Sequence, residues 1–208
     1  MLDVLFFCEG TYPYVSGGVS SWIHQLITGM PDLNFGILYL ATSEQAEREL
    51  KYQLPPNLKT MVEFYLYDFV DFPRATSGSP GQAWEDVGPF LRGLFRGEAV
   101  DFDKAYGAVC GESGGLPSLG YRDLTSSRGS WDLLTEVYIN NFRQASFSDF
   151  FWSWRYAHYP LYKLFAADIP KARVYHAVTT GWCGLLGAIA ARRHERPLLL
   201  TEHGLYVN

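Results

Sequence analysis

Apolar residues occur in short continuous runs near both ends of the chain. Residues 3–8 and 34–41 form two such runs, and residues 172–178 and 197–201 form two more. Continuous runs of this length are typical of strands that are covered on both faces in a parallel sheet. The pattern therefore predicts four buried strands, and residues 61–67 predict a fifth.

The segments between these runs change to helical spacing. The apolar residues of the first segment recur at intervals of three and four, at Val19, Trp22, Ile23, Leu26, Ile27 and Met30. Residues 181–193 predict a second helix, with Thr179 and Thr180 as its capping residues. Alternating strands and helices predict an α/β fold with a Rossmann-like open, mostly parallel sheet and helices on both faces.

The middle of the chain has no such regular pattern. Residues 68–149 contain clusters of Gly, Ser and Pro, with helical spacing at residues 83–96 and 131–142. We interpret this part as a largely helical insertion in a single domain that spans all 208 residues.

An aromatic stretch follows the predicted insertion. Residues 147–162 are rich in Phe, Trp and Tyr; Ser148 is expected to cap a helix there, and Pro160 to kink or restart it. Most of these rings are expected to pack in the core. Exposed rings would instead stack on a sugar or dock another protein.

The charge and the cysteines narrow the class of protein. A formal net charge of −5 gives no overall attraction to nucleic acid or to anionic lipid. Three separated cysteines without a C-x-x-C motif do not predict a disulfide framework or a zinc ribbon. The N-terminus lacks a signal-peptide pattern, and residues 181–191, the longest weakly polar stretch, are too short to cross a bilayer. We expect a soluble, cytoplasmic protein.

The candidate functional residues lie at the carboxyl ends of the predicted strands, because open parallel sheets bind their ligands there. Gly17 and Gly18 directly precede a helix, so they either leave amides free for a phosphate or form a tight turn. His203 and Glu202 follow the last strand, as ligand-binding residues or as a simple cap. His176, inside a strand, is by itself more typical of a core residue. His176, His203 and Cys183 have no metal-ligand spacing, and we expect no metal.

One motif supports a rival hypothesis. Gly111-Glu-Ser-Gly-Gly115 matches G-x-S-x-G, which would make Ser113 the nucleophile of an α/β-hydrolase, with Asp168 and His203 as partners. That motif needs a strand before it, for which residues 105–110 are the weak candidate, and a helix after it. A glycine/serine loop fits the sequence better.

Three segments together resemble a known family. Residues 9–26 (EGTYPYVSGGVSSWIHQL), 174–178 (VYHAV) and 200–204 (LTEHG) look like the family 4 retaining glycosyltransferases. The resemblance implies a GT-B fold, in which two Rossmann-like domains face a cleft, and makes this chain the N-terminal one. The nucleotide-binding C-terminal domain of that family is absent from the sequence, so the 208-residue chain alone is expected to be inactive.

The resemblance also implies roles for individual residues. It makes His203 the catalytic residue, next to the reacting carbon of the donor sugar. The donor-binding residues would be Gly17, Gly18 and Gly204, and the acceptor-binding residues would be Tyr12, His176, Thr180 and Glu202.

The implied substrates are a UDP-sugar donor and a saccharide acceptor, with no metal or other cofactor. The resemblance extends to the branch that takes part in synthesis of the Pel exopolysaccharide of biofilms. It implies a UDP-hexose donor, with UDP-glucose as the first choice, and membrane-bound Pel components as candidate partners, without insertion into the membrane. A non-enzymatic docking domain built on the aromatic stretch stays open as an alternative.

Overall fold

The computed structural model describes residues 1–44, 48–68, 80–111 and 119–203. Its contacts divide the chain into two compact units. The first, the sheet unit, comprises Met1–Asp68 and Ala167–Asn208; the second, the helical unit, comprises Phe69–Ala166.

Five parallel strands form the centre of the sheet unit, in the spatial order β3-β2-β1-β4-β5. The strands are β1 (Leu2–Glu9), β2 (Phe35–Ala41), β3 (Leu58–Tyr65), β4 (Ala172–Ala177) and β5 (Leu198–Leu200). All five were predicted from their apolar runs, with boundaries that shift by a few residues. The prediction of an open, parallel, Rossmann-like sheet is therefore confirmed.

Two helices cover the sheet, as predicted. Helix α1 (Gly18–Gly29) connects β1 to β2, and helix α7 (Trp182–His194) connects β4 to β5. The two connections leave the centre of the sheet in opposite directions. Because crossovers between parallel strands are right-handed, these helices lie on opposite faces.

The α1 face of the sheet is a closely packed core. Ile23 and Ile27 of α1 are fully buried against Phe6, Phe35 and Ile37 of the strands. The rings of Phe6 and Phe35 stack with their centroids 5.8 Å apart. Fully burying an aliphatic or aromatic side chain of this size contributes about 1.5–3 kcal/mol, so this packing fixes α1 on the sheet.

The helical unit contains α2 (Pro80–Arg96), α3 (Phe102–Cys110), α4 (Tyr121–Ser126), α5 (Arg128–Val137) and α6 (Phe147–Phe165). A π-helical turn, Tyr138–Phe142, continues α5. Helices over residues 83–96 and 131–142 were predicted and are present. No helix in the described ranges is long and apolar enough to cross a membrane.

Four local predictions are wrong. Residues 105–110 belong to helix α3 and not to a strand. Ser146, not Ser148, caps α6 by accepting a hydrogen bond from the Asp149 N–H, and α6 continues through Pro160 without a break. Neither Thr179 nor Thr180 caps α7, because Gly181 occupies the N-cap position with φ of 68°.

The aromatic stretch of α6 is divided between core and surface. Phe150, Trp154 and Tyr162 are buried, whereas Trp152 and Tyr156 are 61% and 63% exposed. Packing therefore accounts for part of the stretch, as the sequence indicated, and two rings on one side of the helix stay in solvent.

Asn57 holds the carboxyl end of α1. Its buried side-chain amide donates hydrogen bonds to the carbonyls of Ile27, Met30 and Leu33, at 2.8, 3.1 and 3.2 Å. The last carbonyls of a helix have no partner within it. Asn57 therefore supplies donors to the end of α1 and to the loop after it, where the Met30 carbonyl also accepts a hydrogen bond from the Leu33 N–H.

We expect Asn57→Ala to lower the free energy of unfolding by about 2 kcal/mol, because it leaves buried carbonyl oxygens unsatisfied. Urea unfolding of the variant and the parent domain measures the difference. Asn141→Ala is the matched control, since the Asn141 amide donates to one carbonyl, that of Val137, from an exposed position. Equal destabilisation by both substitutions would show that Asn57 has no special part in holding α1.

Candidate functional site

The loops that follow β1, β4 and β5 lie at one edge of the sheet. All three strands are parallel, so their carboxyl ends meet there. The chain leaves β1 towards β2 and leaves β4 towards β5, which makes the gap between β1 and β4 a topological switch point. Open α/β sheets bind their ligands in this position.

Three rings from separate parts of the chain meet at this edge. The Trp22 indole of α1 lies edge-on between two imidazoles, with ring centroids 5.7 Å from His176 and 4.9 Å from His203. His176 is buried near the end of β4, whereas His203 is exposed beyond β5. We call these three residues the Trp–His cluster.

The buried histidine of the cluster is held on both sides. Its Nε2 atom shares a hydrogen bond of 2.8 Å with the Thr201 hydroxyl, and its ring packs 5.0 Å from Phe6. Burial lowers the pKa of His176 below its ordinary value, and the neighbouring His203 lowers it further. Both effects favour a neutral His176 ring at neutral pH, because they disfavour its charged form.

Glu202 connects the loops after β4 and β5. Its carboxylate accepts one hydrogen bond from the Thr180 N–H at 3.1 Å and another from the His203 N–H at 3.2 Å. Thr180 therefore enters this site through its backbone. The arrangement fixes the position of the His203 backbone relative to β4.

The glycines before α1 leave its first turn open. Gly17 is the N-cap residue, with no side-chain cap and no acidic residue in the first turn. A Cβ atom built on Gly17 or Gly18 would meet no atom within 4 Å. The first turn of α1 is therefore uncapped, and the side-chain positions of Gly17 and Gly18 are open, one helical turn before Trp22.

Tyr12 has a different environment from the other candidates. Its side chain is fully buried, and its hydroxyl lies 3.2 Å from His24 Nδ1. The Tyr12 ring also packs against Tyr52, at 5.1 Å between centroids. In this conformation Tyr12 holds the loop after β1 in place and does not face the open edge.

A second polar group at the same edge was missed by sequence reasoning. The Glu63 carboxylate accepts hydrogen bonds from the hydroxyls of Tyr14 and Tyr65 and from the Arg48 guanidinium, the last two at 2.9 and 2.6 Å. Burial opposes ionisation of Glu63, but these bonds outweigh it and lower its pKa. These residues come from separate segments of the chain and form no sequence motif. Their spacing therefore could not predict the group.

Two of the sequence-derived candidates, Gly204 and Ser113, lie outside the described residues. The helix α3 (Phe102–Cys110) stands where a nucleophile elbow requires a strand, so the local context of the hydrolase hypothesis is missing. Cys183 is fully buried in α7. Within the described ranges, no three His, Cys, Asp or Glu side chains form a group that could hold a metal ion.

The pKa of His176 should depend on the presence of its neighbour His203. We expect His203→Ala to raise the pKa of His176, because the substitution removes a neighbouring positive charge, while burial keeps that pKa below the ordinary value. NMR of the imidazole protons against pH measures the change.

His24→Ala serves as the control for this titration, since His24 lies on the same helix as Trp22 but contacts Tyr12 and Tyr52 instead. A His176 pKa that stays constant in His203→Ala, or that moves equally in His24→Ala, would contradict the coupling.

Comparison with known proteins gives one match. The model of a domain of unknown function, DUF3492, matches residues 2–208. Neither a curated protein nor a solved structure is detectably similar to the chain. Since the matched region covers nearly all of the sequence, the chain belongs to the DUF3492 family.

Proposed function

We propose that this chain is the acceptor-side domain of a retaining, PelF-like glycosyltransferase of family 4. It transfers a hexose from a UDP-sugar, which we take to be UDP-glucose, to a growing exopolysaccharide. The observation that carries the proposal is the Trp–His cluster at the switch point of the sheet, one turn from the open amides of α1.

The open first turn of α1 suits the donor diphosphate. A helix N-terminus carries a partial positive charge of about half an elementary charge and presents unpaired N–H groups to an anion. Gly17 and Gly18 add no side chain there, so a phosphate can approach the backbone closely. As the bond to the donor sugar breaks, these amides would stabilise the charge that develops on the leaving diphosphate.

His203 suits the sugar side of the same reaction. His203 is exposed, so its ring can contact a ligand at the edge of the sheet. The hydrogen bond from its backbone N–H to the Glu202 carboxylate keeps it at that edge. In our proposal the imidazole contacts the donor sugar next to the reacting carbon. The buried His176, whose ring contacts Trp22 edge-on, lies on the acceptor side in this proposal.

The groups at this edge supply only part of the positive charge that a nucleotide-sugar site needs. The amides of one helix offset only part of the charge of a diphosphate. Glu202, the acidic side chain at the centre, already accepts hydrogen bonds from two backbone amides. We therefore assign most of the nucleotide contacts to a second domain across the cleft, and expect weak binding of UDP-glucose by this domain alone.

Gly17→Ala tests the donor site directly. Alanine can adopt the extended φ of 170° at this position, and its Cβ would meet no atom within 4 Å, so folding should be unchanged. The added methyl group would occupy the approach to the α1 amides. We expect UDP-glucose to bind the natural gene product roughly tenfold more weakly, a loss of about 1.4 kcal/mol.

Gly29→Ala is the matched control for this experiment. Gly29 ends the same helix, and its Cβ would also meet no atom within 4 Å. Calorimetry of UDP-glucose with the two variants and the unmodified protein gives the affinities. Unchanged affinity in Gly17→Ala would remove the donor diphosphate from the α1 N-terminus.

His203→Ala tests the catalytic assignment. We expect it to lower kcat for hexose transfer by roughly 10²-fold or more, the usual effect of losing one positioned catalytic group. Gln25→Ala, at an exposed position of α1, should leave kcat unchanged. The 208-residue domain is assayed beside the natural gene product, and we expect the domain alone to show no turnover. Transfer or hydrolysis of UDP-glucose by the domain alone would contradict a site shared between two domains.

A further inference from the structure

The helical unit contains a cavity of its own. It has a volume of about 210 Å³ and lies between α6 and the junction of α4 with α5. The residues that line it include the aromatic Trp131, Phe151 and Tyr159, the cationic Arg155, and the hydroxyl-bearing Thr125 and Ser126. Aromatic, hydroxyl-bearing and cationic residues therefore line one small space.

The walls of this cavity are held by contacts that do not fill it. The Tyr159 hydroxyl donates to the Thr125 carbonyl at 3.1 Å, which joins α6 to α4. The rings of Trp131 on α5 and Phe151 on α6 lie 6.4 Å apart. Ser127 caps α5 by accepting a hydrogen bond from the Ser130 N–H. The cavity is thus preformed, and Trp131, 46% exposed, stands at its rim.

Arg155 is the unusual member of the lining. Its guanidinium carbon lies 4.5 Å from the ring centroid of Tyr159, 5.3 Å from that of Trp152 and 5.5 Å from that of Phe151. Among the residues that the structure describes, it forms no salt bridge and donates no hydrogen bond. Aromatic rings surround the guanidinium, and its N–H donors are left for another partner.

Two other arginines of the helical unit, Arg92 and Arg128, are paired with acids. Arg92 binds the Glu136 carboxylate through two N–H groups, and Arg128 binds Asp132 at 2.8 Å. A guanidinium presents five donors in a planar fork that matches a carboxylate or phosphate. Arg155 has the ring contacts that orient such a fork and lacks the acid, within the described residues, that would occupy it.

We propose that this cavity is a binding site for an acidic saccharide, in which Arg155 holds the carboxylate and the aromatic walls stack on the sugar ring. Trp and Tyr provide an apolar face with a polar edge, which suits a ring whose faces are apolar and whose edge carries hydroxyls. The volume is below the 300–1,000 Å³ of pockets for drug-sized ligands, so it holds one ring and not a nucleotide. The inference does not depend on the proposed glycosyl transfer.

The test uses glucuronate, glucose and inorganic phosphate as probes of the 208-residue chain. Ligand-detected NMR and calorimetry measure their affinities. We expect glucuronate to bind in the millimolar range, more weakly at high salt, and roughly tenfold more tightly than glucose, which lacks the charge. Phosphate should also bind more weakly than glucuronate, because it lacks the ring. Equal affinity for phosphate and glucuronate, or for glucose and glucuronate, would overturn the proposal.

Arg155→Met and Arg143→Met are the matched variants. Methionine keeps an apolar side chain on the aromatic rings and removes the donors, so glucuronate affinity should fall at least roughly tenfold. Arg143 is exposed and does not line the cavity, and its replacement should have no effect.

Circular dichroism shows whether each variant folds. If Arg155→Met does not fold, Arg155→Lys replaces it. Lysine keeps the positive charge but lacks the planar fork of donors, so glucuronate affinity should still fall about tenfold. Unchanged affinity in the folded Arg155 variant, or equal loss in Arg143→Met, would overturn the site.

Discussion

The parallel pairing of β1 with β4 is the constraint on which the candidate site depends. It places Phe6 opposite His176 although these residues are far apart in the chain, with the whole helical unit between them. The pairing aligns the carboxyl ends of the two strands. Without it, the open N-terminus of α1 and the loops after β4 and β5 would have no reason to meet.

Burial at this pairing also sets the chemistry of the site. The Phe6 ring packs on His176, and the Thr201 hydroxyl bonds to its Nε2 atom, so the imidazole is desolvated and oriented at the same time. His203 stays exposed, with its backbone held by Glu202. Two histidines of one cluster are thus given different environments, and burial of the His176 ring favours its neutral form.

The strands of the fold could be predicted because parallel strands buried on both faces are continuous apolar runs. Residues 105–110 show the limit of that signal, since a short apolar run reads alike in a strand and in a buried helix. The capping residue of α6 could not be predicted either, because Ser146 and Ser148 are the same residue type. In the structure, the Ser146 hydroxyl accepts the hydrogen bond from the Asp149 N–H and is therefore the cap. Pro160 lies inside α6, where its local preference is overridden by packing of the buried residues that follow it.

The sequence predicted only part of the group of residues that meets at this edge of the sheet. His176, Thr180, Glu202 and His203 were found because the carboxyl ends of strands in such a sheet meet at one edge, which is a property of topology and not of any motif. Trp22 was assigned to the apolar face of α1, and nothing in its spacing shows that this face ends between two histidines. Tyr12 shows the reverse case, because a tyrosine in a loop after a strand reads as exposed until its neighbours His24 and Tyr52 are placed around it.

The two units handle charge in different ways, and this distinction bears on what each can bind. The sheet unit offers an anion the uncapped amides of α1, which carry partial charges. The helical unit offers Arg155, a full and permanent charge oriented by three rings. Helix amides act on an anion only at close approach, whereas a guanidinium also binds through a fixed planar fork of donors. In our proposals the sheet edge is the place of glycosyl transfer, and the helical cavity is the place where an acidic saccharide is held.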